Sequence, residues 1–380
     1  MKRTLSIVAL AMLVALALVS CAPKGPAEIV IGGVGPVSGE AATFGKSTQE
    51  GCELAVEEWN AKGGVLGQQI KLVYEDDKGD AAEGAAVWTK LIQQDKVVAI
   101  VGTVMSKVSL AGAPISEQYG VPMISPTSTN PAVTFADGKL REFVFRACFI
   151  DPFQGTVGAK FAFDDLGARK AAAIFDVGND YTKGLSEFFR DTFIALGGEI
   201  VAFEAHATGA TDFKAQLTKI VQAKPDVVYI SDYYNDVALI AKQLRELGFT
   251  GPLVGGDGWD SPDLVKLGGE AVENGFFTNH YSKDDTRPEV QDFVKKYTAK
   301  FGAAPDALAT LAYDAMNIML DAIARAGSTE GVKIRDALKA TDFAAVSGRT
   351  MFDEQHNPVK AAAIIEIKGG QQVYRTTVAP

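Results

Sequence analysis

Short runs of branched apolar residues alternate, from residue 28 to about residue 255, with longer stretches whose apolar positions recur at helical spacing. Glu28–Val34, Ile70–Glu75, Val97–Val101 and Val121–Ser125 predict strands, because compact apolar runs of this length suit a parallel sheet covered on both faces. Between them, Gln49–Asn60 places Cys52, Ala55, Val56 and Trp59 at helical spacing and ends at Gly63-Gly64. Asp80–Gln94 and the segment KVSLAGAPISEQYG predict two further helices, while GPVSGEAATFGKS reads as a loop. The resulting order, β-α-β-α-β-α-β, is the pattern of a doubly wound parallel sheet.

An extended run, Phe143–Ile150, ends at Asp151-Pro152, where proline blocks a simple continuation. The alternation then begins again with helix Gln154–Leu166, strand Ala171–Phe175, helix Lys183–Leu196 and strand Glu199–Glu204. Helix Asp212–Ala223, strand Asp226–Ile230, helix Val237–Leu247 and strand Leu253–Val254 complete it. An extended stretch at Gly275–Phe277 leads to helices Pro288–Phe301, Ala307–Ala326 and Lys333–Lys339, then Phe352-Asp353 and a last strand, Ala362–Ile367. These late helices bring too few strands for a third unit, so they are expected to return and cover the first lobe. A chain that crosses between lobes more than once builds a hinge with a cleft between them.

The N-terminus stands apart from the alternation. Lys2-Arg3 precede an apolar run, Leu5–Val19, too short for a convincing membrane span, and Leu18-Val19-Ser20-Cys21 resembles the bacterial lipobox. Residues 1–20 are therefore read as a lipoprotein signal peptide, and 21–27 as the lipidated cysteine and a tether. The 360 residues after Ser20 (380 − 20) exceed one ordinary core and suit two domains. No second apolar span is read, so the body is expected to be soluble. A net charge of −10 without a basic block argues against a nucleic-acid partner. Cys52 lies in a helical pattern and Cys148 in a strand pattern; they could pair in an oxidising compartment, with two buried free thiols the preferred reading.

Ligands of open α/β sheets sit beyond the carboxyl ends of the strands. In the first lobe those positions hold Phe44, Ser106 at a helix start, and the run Thr127-Ser128-Thr129. In the second they hold Asp176, Tyr181, the pair Tyr233-Tyr234, and Gly256-Asp257-Gly258-Trp259. Tyr233 and Tyr234 point opposite ways if extended, so at most one faces a ligand. Hydroxyls and a helix N-terminus thus face an acid and aromatics across a cleft. An α-amino acid needs both: N–H and O–H donors for its carboxylate, and an acid for its ammonium. Each residue also has a plainer reading, since Ser and Thr after strands form turns and caps, Asp between glycines makes a turn, and Phe packs cores.

The motifs GPVSGEAATFG, AVEEWNAKGGVLGQQIKLVYEDD, VGTVMS, PMISPTSTNP, DYTKGL and GGDGWDS together resemble the branched-chain amino-acid binding proteins of ABC importers, from Glu28 to the C-terminus. The resemblance implies an α/β fold of two doubly wound parallel-sheet lobes joined by a multi-crossover hinge, the type I periplasmic binding-protein fold. Residues 28–148 and 281–360 would form lobe 1, and 149–280 and 361–380 lobe 2. Ser106 and Thr129 would hold the ligand carboxylate, with backbone groups of Thr127 and Ser128. Asp257 would bind the α-ammonium with Gly258 beside it, Tyr181 would close over the ligand, and Phe44 would line the side-chain pocket. Asp151 and one of Tyr233 or Tyr234 match further contact positions. Some relatives carry a disulfide at the positions of Lys78 and Met105, which this chain lacks. The expectation is an exported lipoprotein, anchored through Cys21, that acts as a monomer, captures leucine, isoleucine or valine, and passes it to an ABC permease.

An enzyme is the rival class, and its marks are missing. Gly33-Val34-Gly35-Pro36-Val37-Ser38 has serine where a dinucleotide-binding turn needs its third glycine. There is no phosphate loop and no G-x-S-x-G elbow, and His206, His280 and His356 lack zinc-ligand spacing. No cofactor or metal is expected. The same fold could instead take an amide, an aromatic acid or a purine for uptake or sensing, since fold does not dictate ligand. An acid at Asp257 with Ser106 and Thr129 opposite favours an α-amino acid.

Overall fold

Five parallel strands, β1 (Ile29–Gly35), β2 (Ile70–Asp76), β3 (Ala99–Val101), β4 (Met123–Ser125) and β5 (Val144–Arg146), form one sheet in the order β2-β1-β3-β4-β5. The computed structural model describes residues 28–379, so the signal peptide, Cys21 and tether expected at 1–27 lie outside the described residues. One face of this sheet packs Ile31, Val101, Ile124 and Phe145 against helices Ala42–Ala61 and Ala307–Ala326, through Cys52, Ala55, Ala312 and Met316. The other face packs Val34, Ile100 and Met123 against helices Ala81–Gln93 and Ser106–Tyr119, through Trp88, Leu91 and Ala113. Burial on both faces is why the strands read as short continuous apolar runs.

The second sheet contains β6 (Lys170–Asp176), β7 (Glu199–His206), β8 (Val227–Ile230), β9 (Leu253–Gly255), β10 (Gly275–Asn279), β11 (Ala362–Lys368) and β12 (Gln371–Val378). Its order is β12-β11-β10-β9-β8-β6-β7; β10 to β7 are parallel, while β11 and β12 run antiparallel at one edge. The sheet is therefore mixed rather than purely parallel. The chain passes from the first sheet to the second after β5, returns after β10 into helices Pro288–Phe301 and Ala307–Ala326, and passes back before β11. Three crossings make the hinge.

Several boundaries differ from the sequence reading, each for a physical reason. The helix expected from Gln49 begins at Ala42, so GPVSGEAATFGKS is loop only in its first half and Phe44 is helical. Buried packing of Phe44, Thr48 and Gly51 overrides the weak helix propensity of that stretch. The helix expected from Gln154 begins at Asp151, with Pro152 in its first turn, where a missing N–H costs nothing. Strand β12, helix Pro262–Gly268 and the hairpin of Asp342–Ala345 with Gly348–Met351 were not anticipated. Nor was the apolar character of Ala307–Ala326, which is long and apolar enough to cross a membrane yet is 83% buried as the core helix of the first lobe. Cys52 and Cys148 are free and buried, and burial pushes the Cys148 thiol up to about 12.

Helix Ala42–Ala61 lies so close to Ala307–Ala326 that a Cβ at Gly51 would collide with the carbonyl oxygen of Ala309. Gly51→Ala is expected to lower stability by about 1–3 kcal/mol, the usual cost of overpacking, read as a lower midpoint in urea unfolding.

Candidate functional site

The carboxyl ends of both sheets face each other, and the side chains that stand there meet. Ser106 opens the helix Ser106–Tyr119 just beyond β3; it is buried and its Oγ accepts the Asn130 N–H at 3.3 Å. The partial positive charge of the helix N-terminus favours an anion at that point. Beyond β4, the Thr127 hydroxyl donates to Val104 O at 3.2 Å, and both residues line the cavity between the lobes. The Thr129 hydroxyl is buried without a hydrogen-bond partner among the described residues.

The second lobe answers with a network centred on Asp257, in a tight turn after β9. Its Oδ1 accepts from the Tyr181 hydroxyl at 2.8 Å, and its Oδ2 lies 2.8 Å from His280 Nε2. The Tyr181 oxygen accepts the Gly258 N–H at 3.0 Å, so the hydroxyl proton is directed at the carboxylate. Burial, then the charge of Asp257, raise the Tyr181 phenol well above its ordinary range, which keeps it a donor. Asn179 accepts the Tyr181 N–H at 3.1 Å, capping the helix that carries the tyrosine. Gln154 fixes the backbone: its Oε1 accepts the Asp257 N–H at 2.8 Å and the Thr278 hydroxyl at 2.7 Å. Gly256 is needed for this packing, since a Cβ there would stand 2.6 Å from Leu185 Cδ2 and 2.7 Å from the Tyr181 oxygen.

Asp151 lies behind this network. It is fully buried, its Oδ2 has no partner among the described residues, and its N–H donates to Thr129 O at 3.0 Å. Burial, reinforced by the charge of Asp257, pushes its carboxyl up to about 8.

The cavity is walled by Phe44, Val104, Leu308 and Tyr233 on its apolar side and by Ser106, Thr127, Tyr181, Asp257 and Gly258 on its polar side. Tyr233 stacks on Tyr181 at 5.2 Å and meets the edge of Phe44 at 5.8 Å. Tyr234 turns the other way and ties the lobes together, its hydroxyl donating to Glu40 O at 2.7 Å. Thr43 to Asp263 at 2.8 Å and Asn130 to Asp180 O at 3.0 Å are further bonds between the lobes. The space inside is about 20 Å³, little more than one water molecule occupies. Any larger ligand enters only when the lobes part.

Of the residues singled out from sequence, Phe44, Ser106, Thr127, Tyr181, Tyr233, Asp257 and Gly258 share the cavity wall. Thr129 and Asp151 stand just outside it. Ser128 is committed to the fold: its N–H donates to Ser125 Oγ, its hydroxyl bonds Ser109 and the carbonyls of Thr103 and Val104, and its carbonyl accepts from Arg146. Asp176 is also spoken for, by the Thr208 hydroxyl and the Gly178 N–H. Sequence reasoning missed Val104, Leu308, Gln154 and His280. His280 follows β10 directly, so the rule that pointed to Asp257 would have pointed to it, had Gly275–Phe277 been read as a strand reaching Asn279.

A family model described as periplasmic binding protein matches residues 28–372. The chain is similar to the Leu/Ile/Val-binding protein homolog 2 of Brucella abortus, 34% identical over 344 residues that make up 90% of this chain and 91% of that protein. Among solved structures it resembles the leucine binding protein LivK of Thermotoga maritima, with a TM-score of 0.88 and 42% identity over 93% of this chain and 99% of that one. It also resembles the branched-chain amino acid transporter substrate binding protein LivJ of Streptococcus pneumoniae, solved in complex with isoleucine, with a TM-score of 0.87 and 35% identity over 93% of this chain and all of that one.

Proposed function

This chain belongs to the periplasmic binding-protein family, a family of substrate-binding proteins, and from that premise we propose that it captures leucine, isoleucine or valine between its lobes and delivers it to an ABC permease. The observation that carries the reading is one buried acid, Asp257, facing the N-terminus of helix Ser106–Tyr119 across the same small cavity. An ammonium sits against Asp257, and a carboxylate against Ser106, with Thr127 beside it and Thr129 contributing its unpartnered hydroxyl. Phe44, Val104, Leu308 and Tyr233 offer an aliphatic side chain an apolar wall. Asp151 stands behind the ammonium end as a second acid.

Residues 28–148 with 281–360, and 149–280 with 361–380, move as two lobes about the three crossings. Ligand that bonds to both lobes shifts the population towards the closed form, and the permease reads that form. The Leu18-Val19-Ser20-Cys21 motif supports export and anchoring through a lipidated Cys21, with the folded part acting as a monomer.

The test is thermal unfolding of protein made from Ala22 onward, unfolded and refolded to strip carried-over ligand. Leucine, isoleucine or valine at about 100 times its dissociation constant adds roughly 2.7 kcal/mol, a rise of several degrees. A folded protein that ignores all three, and responds to an aromatic acid or a purine instead, overturns the reading.

A further inference from the structure

His280 is the first residue after β10, where the chain recrosses towards the first lobe. Its side chain is only 2% exposed. The ring lies against Phe149, centroids 3.7 Å apart and planes 27° from parallel. Phe149 belongs to a different crossing, so the two rings clasp two strands of the hinge together. From that clasp the ring reaches Asp257 Oδ2 with Nε2 at 2.8 Å, while Nδ1 is buried without a partner among the described residues. A carboxylate only accepts, so the contact assigns the hydrogen to Nε2.

Asp257 is thus gripped from two sides. Tyr181, on the helix Asp180–Ala195, holds Oδ1, and His280, on the hinge, holds Oδ2. Two donors leave the carboxylate two of its roughly four lone-pair directions, and fix which way they open. Without the His280 donor, Oδ2 loses the bond that fixes its direction, and the carboxylate is free to turn about its one remaining side-chain donor, Tyr181. A carboxylate turned away no longer presents its free lone pairs to an ammonium.

We propose that His280 is the positioning residue of the ammonium site, aiming the Asp257 carboxylate at the ligand and tying that aim to the closed geometry of the hinge; the inference rests on the reading of Asp257 given above. A ring that served only to pack on Phe149 would affect stability and bind all ligands alike through its loss. A ring that aims Asp257 affects only ligands that carry an ammonium.

The experiment compares L-leucine with 4-methylpentanoate, the same molecule without its ammonium group, by titration calorimetry on the parent protein and on His280→Leu, His280→Asn and His280→Gln. The parent is expected to prefer leucine strongly. In His280→Leu, leucine weakens by about tenfold to a hundredfold, the effect of one hydrogen bond to a charged group, while 4-methylpentanoate changes little. His280→Asn keeps a polar side chain too short to reach Asp257 and behaves like His280→Leu, which carries the test should the leucine variant not fold. His280→Gln, whose amide reaches as far as Nε2, restores most of the preference. An unchanged leucine to 4-methylpentanoate ratio in His280→Leu or His280→Asn overturns the positioning role while leaving Asp257 in place. A parent protein that binds both ligands equally overturns the ammonium reading itself, and the role of His280 with it.

Discussion

Asp257→Ala is expected to weaken leucine binding by roughly 3–5 kcal/mol, the scale seen when one partner of a buried ion pair is removed and the other is left behind. Three groups lose their partner at once: the ligand ammonium, the Tyr181 hydroxyl and His280 Nε2. In a cavity this small, water can replace few of those contacts. Asp257→Asn is a milder change of roughly 1.5–3 kcal/mol, because the amide keeps one acceptor and gives up the charge. Calorimetry of both variants with leucine gives the ordering directly. Affinity within threefold of the parent in Asp257→Ala would mean the ammonium is held elsewhere, and Asp151 would be the acid to test next.

Much of this was legible in the chain, and the reasons are local. The strands of both sheets are apolar runs because both faces are covered; helix Pro288–Phe301 announces itself by proline at its first position and Ala307–Ala326 by the Asp306 cap, and both by apolar period and a glycine at the end. Ser106 and Asp257 follow from one rule, that chemistry stands beyond the carboxyl ends of parallel strands. What escaped depends on contacts between distant parts of the chain. Phe44 looked like a loop residue because Ala42–Lys46 has weak propensity, and only packing against Tyr233 and Tyr234, nearly two hundred residues on, makes it helical and buried. The return of helix Ala307–Ala326 to the first lobe was expected, but no local pattern encodes that Leu308, in its first turn, reaches the cavity. Gln154 looked like an ordinary helical residue; its role as acceptor for the Asp257 N–H exists only once helix and turn are side by side. Strand β12 alternates polar and apolar residues weakly, as an exposed edge strand does, and so left little apolar signal.

Asp151→Asn is expected to make the ligand-free protein more stable at pH 7, by roughly 2–4 kcal/mol, and to flatten its stability between about pH 4 and pH 8. The carboxyl titrates near its ordinary value of 3.8 in the unfolded chain but is pushed up to about 8 in the fold, first by burial and then by the charge of Asp257. Between those values the folded protein holds a proton that the unfolded chain has released. Stability from this group is therefore fully present below pH 4 and lost as the pH climbs through 8. The nearby Thr129 hydroxyl and then the charge of Arg146, also buried, draw the carboxyl back down, but not far enough to offset burial. Asparagine copies the shape of the neutral acid and has no proton to lose, so it removes the penalty without opening a cavity. Urea unfolding of parent and variant at pH 5, 6, 7 and 8 reads the effect as a gap that widens with pH. A gap that is constant, or that narrows as the pH rises, would show that Asp151 is ionised in the folded protein and meets the ligand already charged.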